Sequence, residues 1–442
     1  MHETIHTIVF EEKKGGGNPC PVTINADDLS SEERQALTAR LGQESAFLST
    51  PDRPDCDVKA RYFVPDHEMG MCVHATVGST VVLVEKGLFD RSPIVFETPF
   101  GPVPVDWEKK DGKIEVAVNQ FLPRFLESVP TKDEICRALG ITEDQLAPGP
   151  IENAATSRFK LLIPLVSKEV VYGLKPDYEY LWELCDRYET TGFYPYAAAQ
   201  EEGENFFYAR QFPKRAGYPE DPATGVAASA LSAFLIAHRL IPVNEGWNRI
   251  TVLQGEAMGK PSRIGARCFV KNGEITRTQV CGSAYLVPTP PEMRLKELGI
   301  TLPPANSPIG NYVPAVKSGN LIFTSGQTPK QGNSLTYTGK LGKDLSTEEG
   351  FEAARLCALS CLAILRNTAG SLNKVKRIVK LTGYVNSAPD FTDQPKVING
   401  ASDLMKAVFG EAGAHARAAV GVAALPGDAA CEIELIAEIR ED

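Results

Sequence analysis

Apolar and polar residues alternate over residues 4–10, the period of a half-buried strand, until Glu11-Glu12-Lys13-Lys14 interrupts it. Ser30-Ser31-Glu32-Glu33 has the spacing of a capping box and predicts a helix that Gly42 can end. Over residues 43–48 the alternation returns, placing Glu44, Ala46 and Leu48 on one strand face. A helix is predicted over 74–85. The theme then recurs with a strand over 208–212, a turn at Gly217-Tyr218-Pro219 and a long alanine- and leucine-rich helix over 223–239. The two helix openings, His74-Ala75-Thr76-Val77-Gly78-Ser79 and Pro222-Ala223-Thr224-Gly225-Val226-Ala227, are alike, which predicts a bilobal first part with an internal repeat.

Prolines 288, 290, 291, 303, 304 and 308 break the pattern, and residues 288–306 read as an extended linker between domains of 1–287 and 307–442. Beyond the linker, a strand is expected over 321–325. Ser346-Thr347-Glu348-Glu349 then opens a helix whose Phe351, Ala354, Cys357, Cys361 and Leu365 share one stripe. A strand over 375–385 follows, with Val379 and Leu381 facing one way and Ile378 the other. A second helix near Pro395 ends at Gly410, and strands over 418–424 and 431–439 close the chain. Both parts are thus expected to be α+β. Two helices cover only one face of the last sheet, so self-association is expected, as a trimer or, if the first part also pairs, a hexamer.

Composition narrows the classes. Of 442 residues, 43% are hydrophobic and 23% charged, which excludes a disordered or fibrous chain. A formal net charge of -10 repels phosphate backbones, so no nucleic-acid partner is expected. No apolar run approaches the ~18–20 residues that span a bilayer, and the N-terminus lacks the pattern of a signal peptide. Ten cysteines and six histidines are scattered without metal-ligand spacing, which points to a cytoplasmic protein with no metal and with reduced, buried thiols.

Glu44 carries the first candidate chemistry. A carboxylate removed from water has a raised pKa and can exchange protons with carbon acids; an ordinary edge glutamate, solvated or paired with an arginine, has the same pattern. The two helix openings offer free N–H groups and partial positive charge to a small acid held between the lobes, or they are simple caps. Gly15-Gly16-Gly17-Asn18-Pro19 lacks phosphate-loop spacing and reads as a turn. In the last part, Arg417 presents a planar fork for a carboxylate, and Glu432, on the next strand in sequence, can orient a water or pair structurally with an arginine.

Several ordered motifs now combine. They are Gly17-Asn18-Pro19, Gln43-Glu44-Ser45-Ala46-Phe47, Arg61-Tyr62-Phe63, Cys72-Val73-His74-Ala75-Thr76, Pro219-Glu220-Asp221-Pro222-Ala223-Thr224-Gly225 and Gln254-Gly255-Glu256-Ala257-Met258-Gly259-Lys260-Pro261-Ser262. Through them residues 4–287 resemble the PhzF family of phenazine-biosynthesis-like isomerases, which share the diaminopimelate epimerase fold. The resemblance implies a proton shift on a small carboxylic or amino acid without metal or cofactor. Glu44 matches the general acid/base, His74 and Asp221 match other active-site polar residues, and Gly225 lies at a substrate-binding position. Val73 stands where a glycine is usual and Val226 where a serine often follows, so the site is narrower or less polar than is common. Cys72 has no cysteine opposite it in the second motif, which disfavours two-thiol racemisation and leaves it a packing role.

Asn311-Tyr312-Val313-Pro314, Gly319-Asn320-Leu321-Ile322-Phe323-Thr324-Ser325-Gly326-Gln327, Ala416-Arg417-Ala418 with Leu425-Pro426, and Glu432-Ile433-Glu434 resemble the RidA (YjgF) family of enamine/imine deaminases, with a chorismate mutase-like fold. That resemblance implies that Arg417 binds a carboxylate and Glu432 stands near the attacking water. It makes Tyr312 and Asn399 pocket residues and implies trimers with pockets between subunits. Ala419 replaces a common cysteine. The combined expectation is a two-activity enzyme. Its rivals are an isomerase with a trimerisation module and a non-catalytic carboxylate sensor.

Overall fold

The computed structural model describes residues 2–305, 310–332 and 334–440. It divides into one unit ending at Pro288 and another beginning at Thr289. Asn306-Ser307-Pro308 of the proline-rich seam lie outside the described residues.

In the first unit, seventeen strands form one continuous, mixed sheet. The first strand, Glu3–Val9, pairs with the last, Glu274–Val287, in the register His6↔Val287, so the ends of the unit meet. Two thirteen-residue helices lie within this wrapping, Val73–Glu85 and Gly225–Ala237. Every residue from Val73 to Leu83 and from Gly225 to Ile236 is buried. A helix apolar on all sides needs cover on all sides, and the curved sheet supplies it. The capping box at Ser30 forms as expected: Ser30 Oγ accepts from Glu33 N–H at 3.2 Å, Glu33 Oε2 accepts from Ser30 N–H at 2.8 Å, and Gly42 ends the helix at φ 66°. The strand expected over 43–48 is Ser45–Ser49, so Glu44 stands at its mouth and not on its face.

The second unit has a five-stranded sheet in the order Ala315–Ser318, Leu321–Thr324, Cys431–Ile439, Val375–Asn386, Ala416–Val422. Helices Thr347–Ala369 and Gln394–Phe409 pack on it. Cys431, Ile433, Leu435, Ala437 and Ile439 are buried while the residues between them are half-buried, the alternation of a strand covered on one face. Cys357, Cys361 and Leu365 face this core at 0% exposure; truncating such a leucine to alanine costs about 2–5 kcal/mol.

Two expectations are corrected here. Residues 288–306 are not simply extended: prolines at the opening start a helix, Pro291–Glu297, and Leu295 and Leu302 are buried in the core of the second unit. Proline lacks only a donor that the first turn does not use, so it can begin a helix as readily as bar one. Ile378 and Leu381 do not face opposite ways. The pairing register shifts between Ile378 and Lys380, and the bulge brings both side chains to 0% exposure in one core. All ten cysteines are free and buried. No described helix is long and apolar enough to cross a membrane.

Candidate active site

The openings of the two buried helices face each other. Cys72 and Thr224 are the residues before the first turns, and a Cβ built on Gly225 falls 2.8 Å from Val73 Cγ1, so only glycine lets the helix starts approach this closely. Together they border a cavity of about 170 Å³ lined also by Glu44, His74, Arg158, Lys160, Gln211, Tyr218 and Asp221. Four residues separated by up to 181 positions, Glu44, His74, Asp221 and Gly225, thus meet around one space.

Glu44 keeps 12% of its side-chain exposure. Its Oε1 accepts from the Tyr218 hydroxyl, its Oε2 from the Cys72 thiol at 3.1 Å, and His74 Nδ1 lies 3.5 Å away. Asp221 is held separately. Its Oδ1 accepts from Asn18 Nδ2 at 2.8 Å and from Ala223 N–H at 3.2 Å, and its Oδ2 from Thr224 Oγ1 at 2.5 Å. Gln254 Nε2 bonds both the Asp221 carbonyl, at 2.7 Å, and Thr224 Oγ1, at 3.1 Å.

These surroundings push the two carboxyl groups apart. Burial and the charge of Glu44 raise Asp221 to about 6. Burial also works to raise Glu44, but the His74 charge, the Tyr218 and Cys72 hydrogen bonds and Arg158 outweigh it, and its pKa is lowered. The raised value expected for Glu44 is therefore corrected: donors gathered around the carboxylate replace the water it loses. Burial and Glu44 raise Cys72 and Tyr218 well above their usual ranges, so both remain protonated donors. Cys72 is thus in direct contact with Glu44 and His74, at 3.1 and 3.3 Å, and not mere packing. Glu44, Cys72 and His74 also place ligand atoms within 4.8 Å of one another, a spacing compatible with one metal ion.

The second unit distributes its candidate residues differently. Arg417 Nη1 donates to Asn399 Oδ1 at 2.7 Å and to Ser402 Oγ at 3.1 Å. Glu432 rests against Gly326, where a Cβ would meet Oε1 at 1.8 Å, and burial followed by the charge of Glu434 raises its pKa. Arg417 and Glu432 are not on adjacent strands, because Val375–Asn386 runs between theirs. Arg417 pairs with the core-facing Leu381, Glu432 with Tyr384 three residues on. Two strand spacings and three residue rises place them roughly 14 Å apart. They also lie on opposite faces of the sheet, since three residues along a strand reverses the side-chain direction. Tyr312 is 50% exposed.

Comparison with known proteins identifies both units. The phenazine biosynthesis-like family matches residues 8–289. The chain belongs to that family. Residues 292–439 match the YjgF/chorismate mutase-like family, whose description includes endoribonuclease, so the protein is a fusion. Trans-2,3-dihydro-3-hydroxyanthranilate isomerase of Pseudomonas aeruginosa is 30% identical over 285 residues, 64% of this chain and 96% of the relative. Protein TCP17 of Trypanosoma cruzi is 50% identical over 147 residues, 33% of this chain and 92% of the relative. A phenazine biosynthesis protein of the PhzF family from Bacillus anthracis shares the fold at a TM-score of 0.59, with 24% identity over 65% of this chain and 97% of its own.

Within this phenazine biosynthesis-like unit, sequence reasoning passed over Tyr218, Arg158, Lys160 and Gln211 and gave no role to Asn18, Thr224 or Gln254. Tyr218 stood in a recognised turn, and Asn18 and Gln254 in recognised motifs. Arg158, Lys160 and Gln211 had no sequence signal beyond being polar residues beside apolar strands.

Proposed function

We propose that the first unit shifts a proton between two carbons of a small unsaturated or hydroxylated amino or carboxylic acid. The opposed pKa directions of Glu44 and Asp221 at one cavity carry this reading, since environments that separate two carboxyl groups suit an ionised base beside a protonated donor. Ionised Glu44 takes the proton from carbon. The released electron pair moves into the adjacent double bond, and the same carboxyl returns its proton to the far carbon. Protonated Asp221 donates to a polar substituent, and the facing helix starts hold the carboxylate. The name of the Pseudomonas aeruginosa relative, an isomerase of a hydroxylated aminocarboxylate, supports this class; Val73 and Val226 argue for a different member of it.

The second unit, on the same proposal, hydrolyses an enamine or imine, with Arg417 binding its carboxylate and Glu432 activating water. Asn399 and Tyr312 complete the pocket. The separation of Arg417 from Glu432 within one chain supports a pocket completed by another copy, in a homotrimer or homohexamer. It equally favours a second reading, in which this unit only assembles the protein. Ten buried free thiols support a reducing, cytoplasmic setting.

A panel of unsaturated and hydroxylated amino acids in deuterated water, followed by NMR, tests the first activity: deuterium must enter carbon with wild type and not with Glu44→Gln. Ammonia release from generated 2-aminoacrylate tests the second. A rate no faster than the spontaneous background would leave the unit as an assembly module.

A further inference from the structure

The cavity also has polar lining side chains that the proposed proton shift gives no direct contact with substrate. Gln211 is 1% exposed and lines the cavity, yet neither its Oε1 nor its Nε2 has a partner. A buried amide left without hydrogen bonds is costly, and such groups are rarely left so unless something else satisfies them. The amide is also held in place: Gly192 passes so close that a Cβ there would fall 2.4 Å from Nε2. Beside it stands Lys160, 4% exposed, whose one hydrogen bond, to the Thr191 carbonyl, is long at 3.4 Å. Arg158 is the third member. Its Nη2 reaches only Met69 Sδ at 3.5 Å and the Met71 carbonyl at 3.4 Å, and its buried Nε has no partner.

Two basic side chains and an orphaned amide therefore face one cavity with no carboxylate hydrogen-bonded to any of them. Burial and the neighbouring Arg158 lower Lys160 to about 7, although Asp221, Cys185 and Glu44 act to raise it. An anion entering beside these side chains supplies the hydrogen-bond acceptors that they do not find within the fold.

We propose that Arg158, Lys160 and Gln211 form a subsite for a second carboxylate, so that the substrate is a small dicarboxylic amino or hydroxy acid. The inference rests on the carboxylate-binding reading of the same cavity and specifies the substrate class. One carboxylate lies at the facing helix starts. The other accepts hydrogen bonds from the Lys160 ammonium, the Arg158 guanidinium and the Gln211 amide, which orients the carbon between them toward Glu44.

Binding by the full-length protein, followed calorimetrically, tests this without requiring turnover. The probes are L-glutamate against L-norvaline and L-glutamine, and L-aspartate against L-2-aminobutyrate and L-asparagine, each set equal in carbon count. The dicarboxylate should bind at least about tenfold more tightly than either companion, the effect of one charge-assisted hydrogen-bonded group. Lys160→Met and Gln211→Leu should each narrow that ratio. Equal binding within a set by wild-type protein, or an amide binding as well as its acid, overturns the subsite whether or not either variant folds. Selective binding of the dicarboxylates with no deuterium entering any of them upholds the subsite and removes the proton-shift reading. Deuterium exchange into monocarboxylates without dicarboxylate preference does the reverse.

Discussion

The two units arrange their candidate residues in opposite ways. In the phenazine biosynthesis-like unit, the candidate residues converge on one cavity from distant parts of a single chain, and all four carboxyl oxygens of Glu44 and Asp221 accept a hydrogen bond within the fold. In the YjgF-like unit, Arg417 and Glu432 lie on opposite faces of one sheet, and Val316, Phe323 and Val420 stand 53%, 39% and 44% exposed. A curved sheet wrapped around a buried helix makes a complete interior. A sheet with helices on one side does not, because its other face is left to solvent or to another copy. Candidate residues in one fused chain can thus converge within one unit and lie apart in the other.

The strongest way to break this comparison is Glu44→Gln. Losing a general base costs about two to four orders of magnitude, so deuterium exchange should vanish while ammonia release from supplied 2-aminoacrylate continues. Loss of both would show that the units do not act separately. Next in size is Phe323→Glu, which places a charge on the open apolar face. Light scattering should report a smaller assembly, and ammonia release should fall while exchange remains. Arg417→Ala should slow ammonia release by roughly one to two orders of magnitude through loss of a charged hydrogen-bond partner. An unchanged rate would make the unit an assembly module.

The pH dependence sharpens the first half. Asp221, raised to about 6 by burial and by Glu44, donates only while protonated, so exchange should fall as pH rises above about 6. Glu44, lowered by its donors, stays ionised through the ordinary carboxylate range, so an acid limb should appear only below it. In Asp221→Asn the amide remains a donor at every pH, and the fall above 6 should disappear from the pH profile. An identical fall in that variant would assign the limb to another group. The smallest effects come from the caps: Ser30→Ala and Ser346→Ala should each cost about 1 kcal/mol, measured by denaturant unfolding. Each should shift only the transition of its own unit.

Much of the architecture was readable one-dimensionally because its causes are local. The capping boxes at Ser30 and Ser346 work through hydrogen bonds spanning three residues, and the alternation over Cys431–Ile439 follows from strand geometry. Motif resemblance likewise identified both families and drew Glu44, His74, Asp221 and Gly225 together before any distance was known. What misled was equally local: prolines near 290 read as a linker though they open a helix, and a single bulge at Val379 reversed the phase assigned to Ile378 and Leu381.

The sequence by itself determined the two families, most elements and the principal candidate carboxylates, since these depend on residue type, spacing and short-range hydrogen bonding. Only tertiary structure decided which groups surround each carboxylate. Glu44 is lowered because His74 and Cys72 arrive from one helix opening and Tyr218 from a distant turn, and Asp221 is raised because burial and Glu44 outweigh its own donors. Tertiary structure alone also put Arg158, Lys160 and Gln211 at the same cavity and Arg417 and Glu432 on separate faces. Electrostatic energy depends on distance and on excluded water, and neither quantity is defined until the chain has folded.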